Sequence, residues 1–175
     1  MILTAVEAVS KRGGNIKAGK VGGQAILSTG GGSIRLASAE GPVRAHTGGG
    51  SVELYRLLRG ARADTAGGGI TAEFVGQGNS FTESHLDTAA GDIRVYLPDN
   101  LAVTIRAAID MAAGQKIHSD FSSLQISSEG PDFGPKETFC EGNLNGGGKV
   151  LQIHTSTGNI LLLKRTASAD NRNPR

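Results

Sequence analysis

Tryptophan is absent from this chain, cysteine occurs once, proline only 5 times, and aromatic residues make up 4% of the 175 positions. Each shortage excludes something. The lone Cys140 rules out an internal disulfide and reads as a small buried thiol. So few aromatics would leave an ordinary globular core poorly filled, and the scarcity of proline separates the chain from Pro-rich disordered tracts. No apolar run approaches the roughly 18 residues of a membrane span. Lys+Arg number 18 against Asp+Glu 16, a formal charge of +2, and no basic block marks a nucleic-acid partner. The opening Met1-Ile2-Leu3-Thr4-Ala5-Val6-Glu7 has neither the charged nor the long apolar region of a signal peptide. Val6-Glu7-Ala8 already alternates as Val43-Arg44-Ala45 does, so the chain is expected to be a fragment, shorn of an export signal or anchor.

Glycine is in excess, with 27 residues, about twice the ordinary share of roughly 7%. Gly14, Gly23, Gly32, Gly41, Gly50 and Gly68 fall in phase every nine residues, and Arg59 breaks the series. Two positions after each step stands an aliphatic or small side chain: Ile16, Ala25, Ile34, Val43, Val52, Ala61 and Ile70. Alternate copies match best, as in Gly-Gly-Asn-Ile16, Gly-Gly-Ser-Ile34, Gly-Gly-Ser-Val52 and Gly-Gly-Gly-Ile70, so the unit is eighteen residues in two halves. A fixed period of this kind marks a solenoid, which stacks small aliphatic side chains in columns.

Strand side chains alternate between faces, so in Ser33-Ile34-Arg35-Leu36 the aliphatics turn inward and Arg35 outward. The expected fold is all-β. It is a single-stranded β-solenoid (β-helix) of about eighteen residues per coil, right-handed by the crossover preference. It spans residues 1–165 as one domain, and residues 166–175 form a disordered tail. Ile16, Ile34, Val52 and Ile70 are expected as one inward column, with Val43 and Ala61 opposite and Thr29, Thr47 and Thr65 as a corner ladder. Lys17, Arg35, Glu53 and Thr71 form an outward column. Glycine is assigned to the corners for its tolerance of positive φ and close approach. The step from Ile70 to Ile93 is 23 residues, and the excess is assigned to Gly76–Phe81. Leu101–Ala107, Lys116–Phe121 and Leu124–Ser127 read as strands, Gly130–Pro135 as a loop, and Val150–His154 with Gly158–Leu163 as the closing strands.

No catalytic, cofactor or metal site emerges from these patterns. A calcium β-roll needs an Asp in register, and neither Gly31–Arg35 nor Gly49–Glu53 supplies one. An acyltransferase-type hexapeptide helix needs an aliphatic every six residues, which the steps from Ile16 through Gly22, Ser28, Glu40 and His46 do not give. Ser28, His46 and Asp64 stand eighteen apart and stack on adjacent coils. Beside Arg44 and Arg62 they read as a solvated polar ladder, because nucleophilic catalysis also needs an oxyanion hole and water exclusion. Asp87, Asp92 and Asp99 fall on different coils or turns, and His85, His118 and His154 read as isolated structural residues. The candidate contact patch is a corner: Tyr55, Leu57, Leu58, Phe74 and the insertion residue Phe81, which either form an exposed apolar surface or plug the interior.

Thr47-Gly-Gly-Gly50-Ser-Val52, Thr88-Ala-Ala-Gly91-Asp-Ile93-Arg-Val-Tyr-Leu97-Pro98, Glu141-Gly-Asn-Leu-Asn-Gly-Gly-Gly148 and Thr157-Gly-Asn-Ile160 together resemble the bacterial adhesin-type family of Gly-rich β-strand-repeat proteins, a family of unknown function. The resemblance covers about residues 4 to 165. It implies a non-catalytic structural or adhesion-type module, outside the cytoplasm at the cell envelope, and it supplies no catalytic residues. The partners it suggests are an envelope protein or a glycan. Two alternatives stand beside it: a self-assembling subunit stacking through exposed solenoid edges, and a carbohydrate-active β-helix enzyme.

Overall fold

The computed structural model describes residues 2–3 and 7–165. The expectation for the 166–175 tail lies outside the described residues. Regular structure among the described residues is all β-strand. In chain order the strands are β1 (Ile2–Leu3), β2 (Glu7–Lys11), β3 (Ile16–Val21), β4 (Ala25–Thr29), β5 (Ile34–Ala39), β6 (Val43–Thr47), β7 (Val52–Leu57), β8 (Ala61–Thr65) and β9 (Ile70–Phe74). They continue with β10 (Ser84–Ala90), β11 (Ile93–Leu97), β12 (Val103–Ala112), β13 (Ile117–Ser119), β14 (Gln125–Glu129), β15 (Lys136–Leu144), β16 (Val150–Thr157) and β17 (Ile160–Lys164).

Up to β11 the odd-numbered strands build one sheet and the even-numbered strands the other. The first sheet runs β1-β3-β5-β7-β9-β11-β17-β13, and every pair in it is parallel. The second runs β14-β15-β12-β16-β10-β8-β6-β4-β2, parallel except for the antiparallel contacts of β15 with β12 and β14. The core lies between them. Ile16, Ile34, Val52, Ile70, Ile93, Ile160 and Ile117 form one buried column in direct register. The facing sheet stacks Leu27, Ala45, Ala63, Leu86, Ile153, Ala107 and Cys140. The inward columns read from the sequence are present. So is the Arg35–Glu53 neighbour pair, at 3.5 Å and exposed, a contact of roughly 0.2–1 kcal/mol.

The corners explain the glycine phase. A Cβ on Gly32 would land on the carbonyl of Gly14, one on Gly50 on that of Gly32, and one on Gly68 on that of Gly50. Each of those carbonyls accepts a hydrogen bond from a buried threonine: Thr29 to Gly14 at 2.8 Å, Thr47 to Gly32 at 2.6 Å, and Thr65 to Gly50 at 2.8 Å. The ladder continues past the irregular step with Thr88 to Gly68 and Thr155 to Gly91. Of the in-phase glycines only Gly14 has positive φ. Close backbone stacking, and not left-handed conformation, therefore selects glycine at Gly32, Gly41, Gly50 and Gly68.

The last strands are not at the end. β16 lies between β10 and β12, and β17 between β11 and β13. The chain leaves β11 through Pro98-Asp99-Asn100, skips one layer to form β12 and β13, turns back through the β14–β15 hairpin, and only then fills the gap. Corner side chains mark the order. Asp92 accepts from the Asn159 backbone at 2.8 Å, and Asn159 accepts from the Lys116 backbone at 3.0 Å. β15 was not expected: Lys136–Leu144 carries no in-phase glycine and pairs antiparallel, so the parallel repeat does not report it. The loop before it, Gly130–Pro135, lies where the sequence puts it.

The stacking predicts a contrast between adjacent glycines. Gly50→Ala places a methyl against backbone and is expected to lower stability by about 1–3 kcal/mol in urea unfolding. Gly49→Ala meets nothing within 4 Å and is expected to stay within about 0.5 kcal/mol of wild type. Equal losses would contradict the stacking account.

Candidate functional site

The corner patch divides between interior and surface. Leu57, Phe74 and Phe81 are buried and do not offer a contact surface. Phe74 and Phe81 meet edge to face at 5.2 Å, so the insertion after β9 brings an aromatic into the interior rather than displaying it. A bulge in β7, with Arg56 at φ 51, turns Leu57 inward to pair with Phe74. Leu58 is 41% exposed and borders a hollow of about 260 Å³ with Lys20, Ser38, Glu40 and Val75. Tyr55 belongs to a different surface, the outward face of the first sheet.

That face carries a groove of about 400 Å³ lined by Glu53, Tyr55, Thr71, Glu73, Arg94, Tyr96, Lys164 and Arg165. Tyr96 is in register with Glu73, one strand away, and Tyr55 lies on the next strand beyond. Glu73 receives Arg165 at 3.1 Å, and both side chains of this pair are largely buried. Tyr55 donates to Glu53 at 3.4 Å and lies 5.6 Å beneath the Arg35 guanidinium. Partial burial first, and then the Glu53 carboxylate, push the Tyr55 phenol above its ordinary pKa. The side chains are thus polarised around two aromatic rings. This arrangement suits a ligand with both apolar faces and hydroxyl groups. The groove was not found in the sequence, where only the Arg35–Glu53 contact was read, since β17 brings Lys164 and Arg165 from outside the repeat.

The outward face of the second sheet is different. Ser28, His46 and Asp64 stack in register as expected, on its solvent side. The column does not stop there: Asp87 follows Asp64, and His154 follows Asp87. His85 and His154 are therefore not isolated. His85 is two residues from Asp87 on β10. The His154 ring bridges two carboxylates, Nδ1 to Asp87 at 2.6 Å and Nε2 to Asp110 at 2.9 Å. His118 also has a partner, Asp120, at 3.3 Å. These contacts escaped the reading because the 23-residue step takes His85 and Asp87 out of phase and β16 arrives out of order. Partial burial alone would lower the His154 pKa. The hydrogen bonds to Asp87 and Asp110, with the negative charge of both, outweigh it and hold the ring above the ordinary imidazole value. Burial and then the Glu141 charge push the Cys140 thiol up to about 11, so it is an inert core thiol.

No family model, no curated protein and no solved structure matches this chain. No helix among the described residues is long and apolar enough to cross a membrane.

Two outcomes are expected. Leu57→Ala is expected to cost about 2–5 kcal/mol in chemical unfolding, while Leu58→Ser stays within about 0.5 kcal/mol; the reverse order would place the corner the other way round. A histidine whose folded pKa is raised stabilises fully below its unfolded value near 6.5, and the benefit is lost as pH rises through the folded value. The melting temperature of wild type should therefore exceed that of His154→Gln most at about pH 5.5, and the gap should shrink toward about pH 9. A gap that widens with pH would contradict the doubly bridged ring.

Proposed function

We propose that the two sheets are the walls of a right-handed β-solenoid of about eighteen residues per coil, and that the chain is a non-catalytic, adhesion-type module of the bacterial cell envelope that takes a glycan on a lateral face. The register of Ile16 with Ile34, Val52 and Ile70 supports the coil length. The observation that carries the binding role is the first-sheet groove. There Tyr55 and Tyr96 line the groove with aromatic surface for a sugar, while Glu53, Glu73 and Arg94 border it with polar groups for its hydroxyls. A rigid parallel sheet holds these groups at a fixed spacing of about 4.8 Å per strand. The non-catalytic reading draws on the site of the densest Asp/His row, an open sheet face that does not exclude water from a reacting centre. The envelope location rests on the family resemblance alone.

End-to-end self-assembly is less well supported. Beyond β12 one sheet adds β15 and β14, whereas the other ends at β13. A second copy continuing from the exposed strand β14 would leave its other sheet without a partner at that level.

A glycan array followed by calorimetry tests the reading. Wild type is expected to bind a subset of glycans. Tyr55→Ala and Tyr96→Ala should each weaken binding about tenfold without a change in melting temperature. A folded wild type that binds no glycan, or a double variant that binds as wild type does, would sink the proposal.

A further inference from the structure

The second-sheet face brings one imidazole and two carboxylates together outside the groove. Asp64 of β8 and Asp87 of β10 are direct cross-strand partners. His85 lies on the same face, two residues before Asp87. One ligating atom from each of the three lies within 4.8 Å of the others. Carboxylates placed directly opposite one another across a parallel pair repel. The surroundings are built to hold them there nonetheless. Arg62 fixes Asp64 through its Nε at 3.2 Å, and His154 fixes Asp87 at 2.6 Å while its other nitrogen is held by Asp110 at 2.9 Å. Each carboxylate thus has one oxygen committed to a neighbouring side chain, Arg62 or His154, and a second to offer.

We propose that Asp64, His85 and Asp87 form a binding site for a first-row divalent transition-metal ion of the zinc type, with water completing the coordination. The donor set decides the class. One imidazole nitrogen with two carboxylate oxygens and an open position fits zinc and its borderline neighbours. Calcium asks for six to eight oxygens, which three monodentate side chains on a flat face do not supply. His154 and Asp110 act as outer partners: they orient the Asp87 carboxylate, as second-layer hydrogen bonds do around metal ligands generally. The ion would neutralise the opposed carboxylates and tie β8 to β10 across the irregular step between them. The absence of an Asp in the glycine corners bears on calcium rolls only. This site sits mid-strand, on the outward face.

Zinc chloride titrated into the full chain by calorimetry tests the site. One saturable site per chain is expected, in the micromolar range. His85→Ala and Asp64→Asn should each weaken it at least about tenfold, and Asp110→Asn about tenfold through loss of orientation. His118→Ala, remote from the cluster, should leave it unchanged. The absence of saturable uptake, or equal weakening by His118→Ala, would overturn the assignment. If the cluster variants melt early, cobalt(II) added to the wild-type chain gives an independent reading. Paramagnetic broadening is expected to centre on the His85 ring signals, and broadening centred on His46 or His118 would overturn the site. Glycan binding by the Tyr55 and Tyr96 groove stands or falls separately.

Discussion

The contact on which the rest of the structure depends is backbone against backbone at the corner that follows the second-sheet strands. A glycine in one layer lies so close to the glycine carbonyl of the layer before that no side chain fits between them. The same carbonyl takes the hydroxyl of a threonine buried at the end of the preceding strand. A buried carbonyl left without a donor costs on the order of 1–3 kcal/mol. A buried hydroxyl without an acceptor is penalised in the same way, so each residue in the motif satisfies the other's need. The parallel ladders space the layers at about 4.8 Å, the repeated pair lets the corner follow that spacing without a break, and the resulting register decides which aliphatics stack and which charges meet.

Ala, Val, Ile and Leu fill most of the interior of the regular layers, and the facing column mixes Leu27 with Ala45 and Ala63. At the other corner, which follows the first-sheet strands, larger groups enter. After β9 the chain takes a longer path, and there Phe74 and Phe81 fill the added space. The C-terminal strands then close the molecule by insertion rather than by addition. β16 and β17 enter between layers formed by earlier segments, so their strand pairings with β10 and β11 are the least local among the described residues, the kind of contact that slows folding.

How much of this is legible in the sequence depends on whether a residue obeys the period. The alternation of Ser33-Ile34-Arg35-Leu36 and its copies reports the strands, the inward columns and the threonine ladder directly. The period runs out at Gly76. Past that point side chains remain readable one strand at a time, but their neighbours do not. His85 looks solitary because its partner Asp64 lies 21 positions back and not 18. His154 looks solitary because Asp87 is 67 positions away, and Asp110 precedes it in the chain but follows it in the sheet. The corner residues divide between the two expected placements for another reason. Sequence spacing brings Leu57, Phe74 and Phe81 near one another, but the bulge at Arg56 that turns Leu57 inward has no signal in the repeat.

The same irregularity gives the two faces their different chemistries. In the regular layers an outward column tolerates alternating charge and has no reason to concentrate it, as Arg35 beside Glu53 illustrates. The longer step and the inserted strand break that regularity on both faces. On one face β17 carries Lys164 and Arg165 to the tyrosines, and on the other β16 carries His154 to Asp87. Both clusters therefore require the last strand pair to be in place. A chain lacking β16 and β17 would keep the glycine–threonine corners of its first layers, yet it would have neither the Glu73–Arg165 pair nor the bridged Asp87. The repeat supplies a rigid frame, and its interruptions supply the chemical individuality.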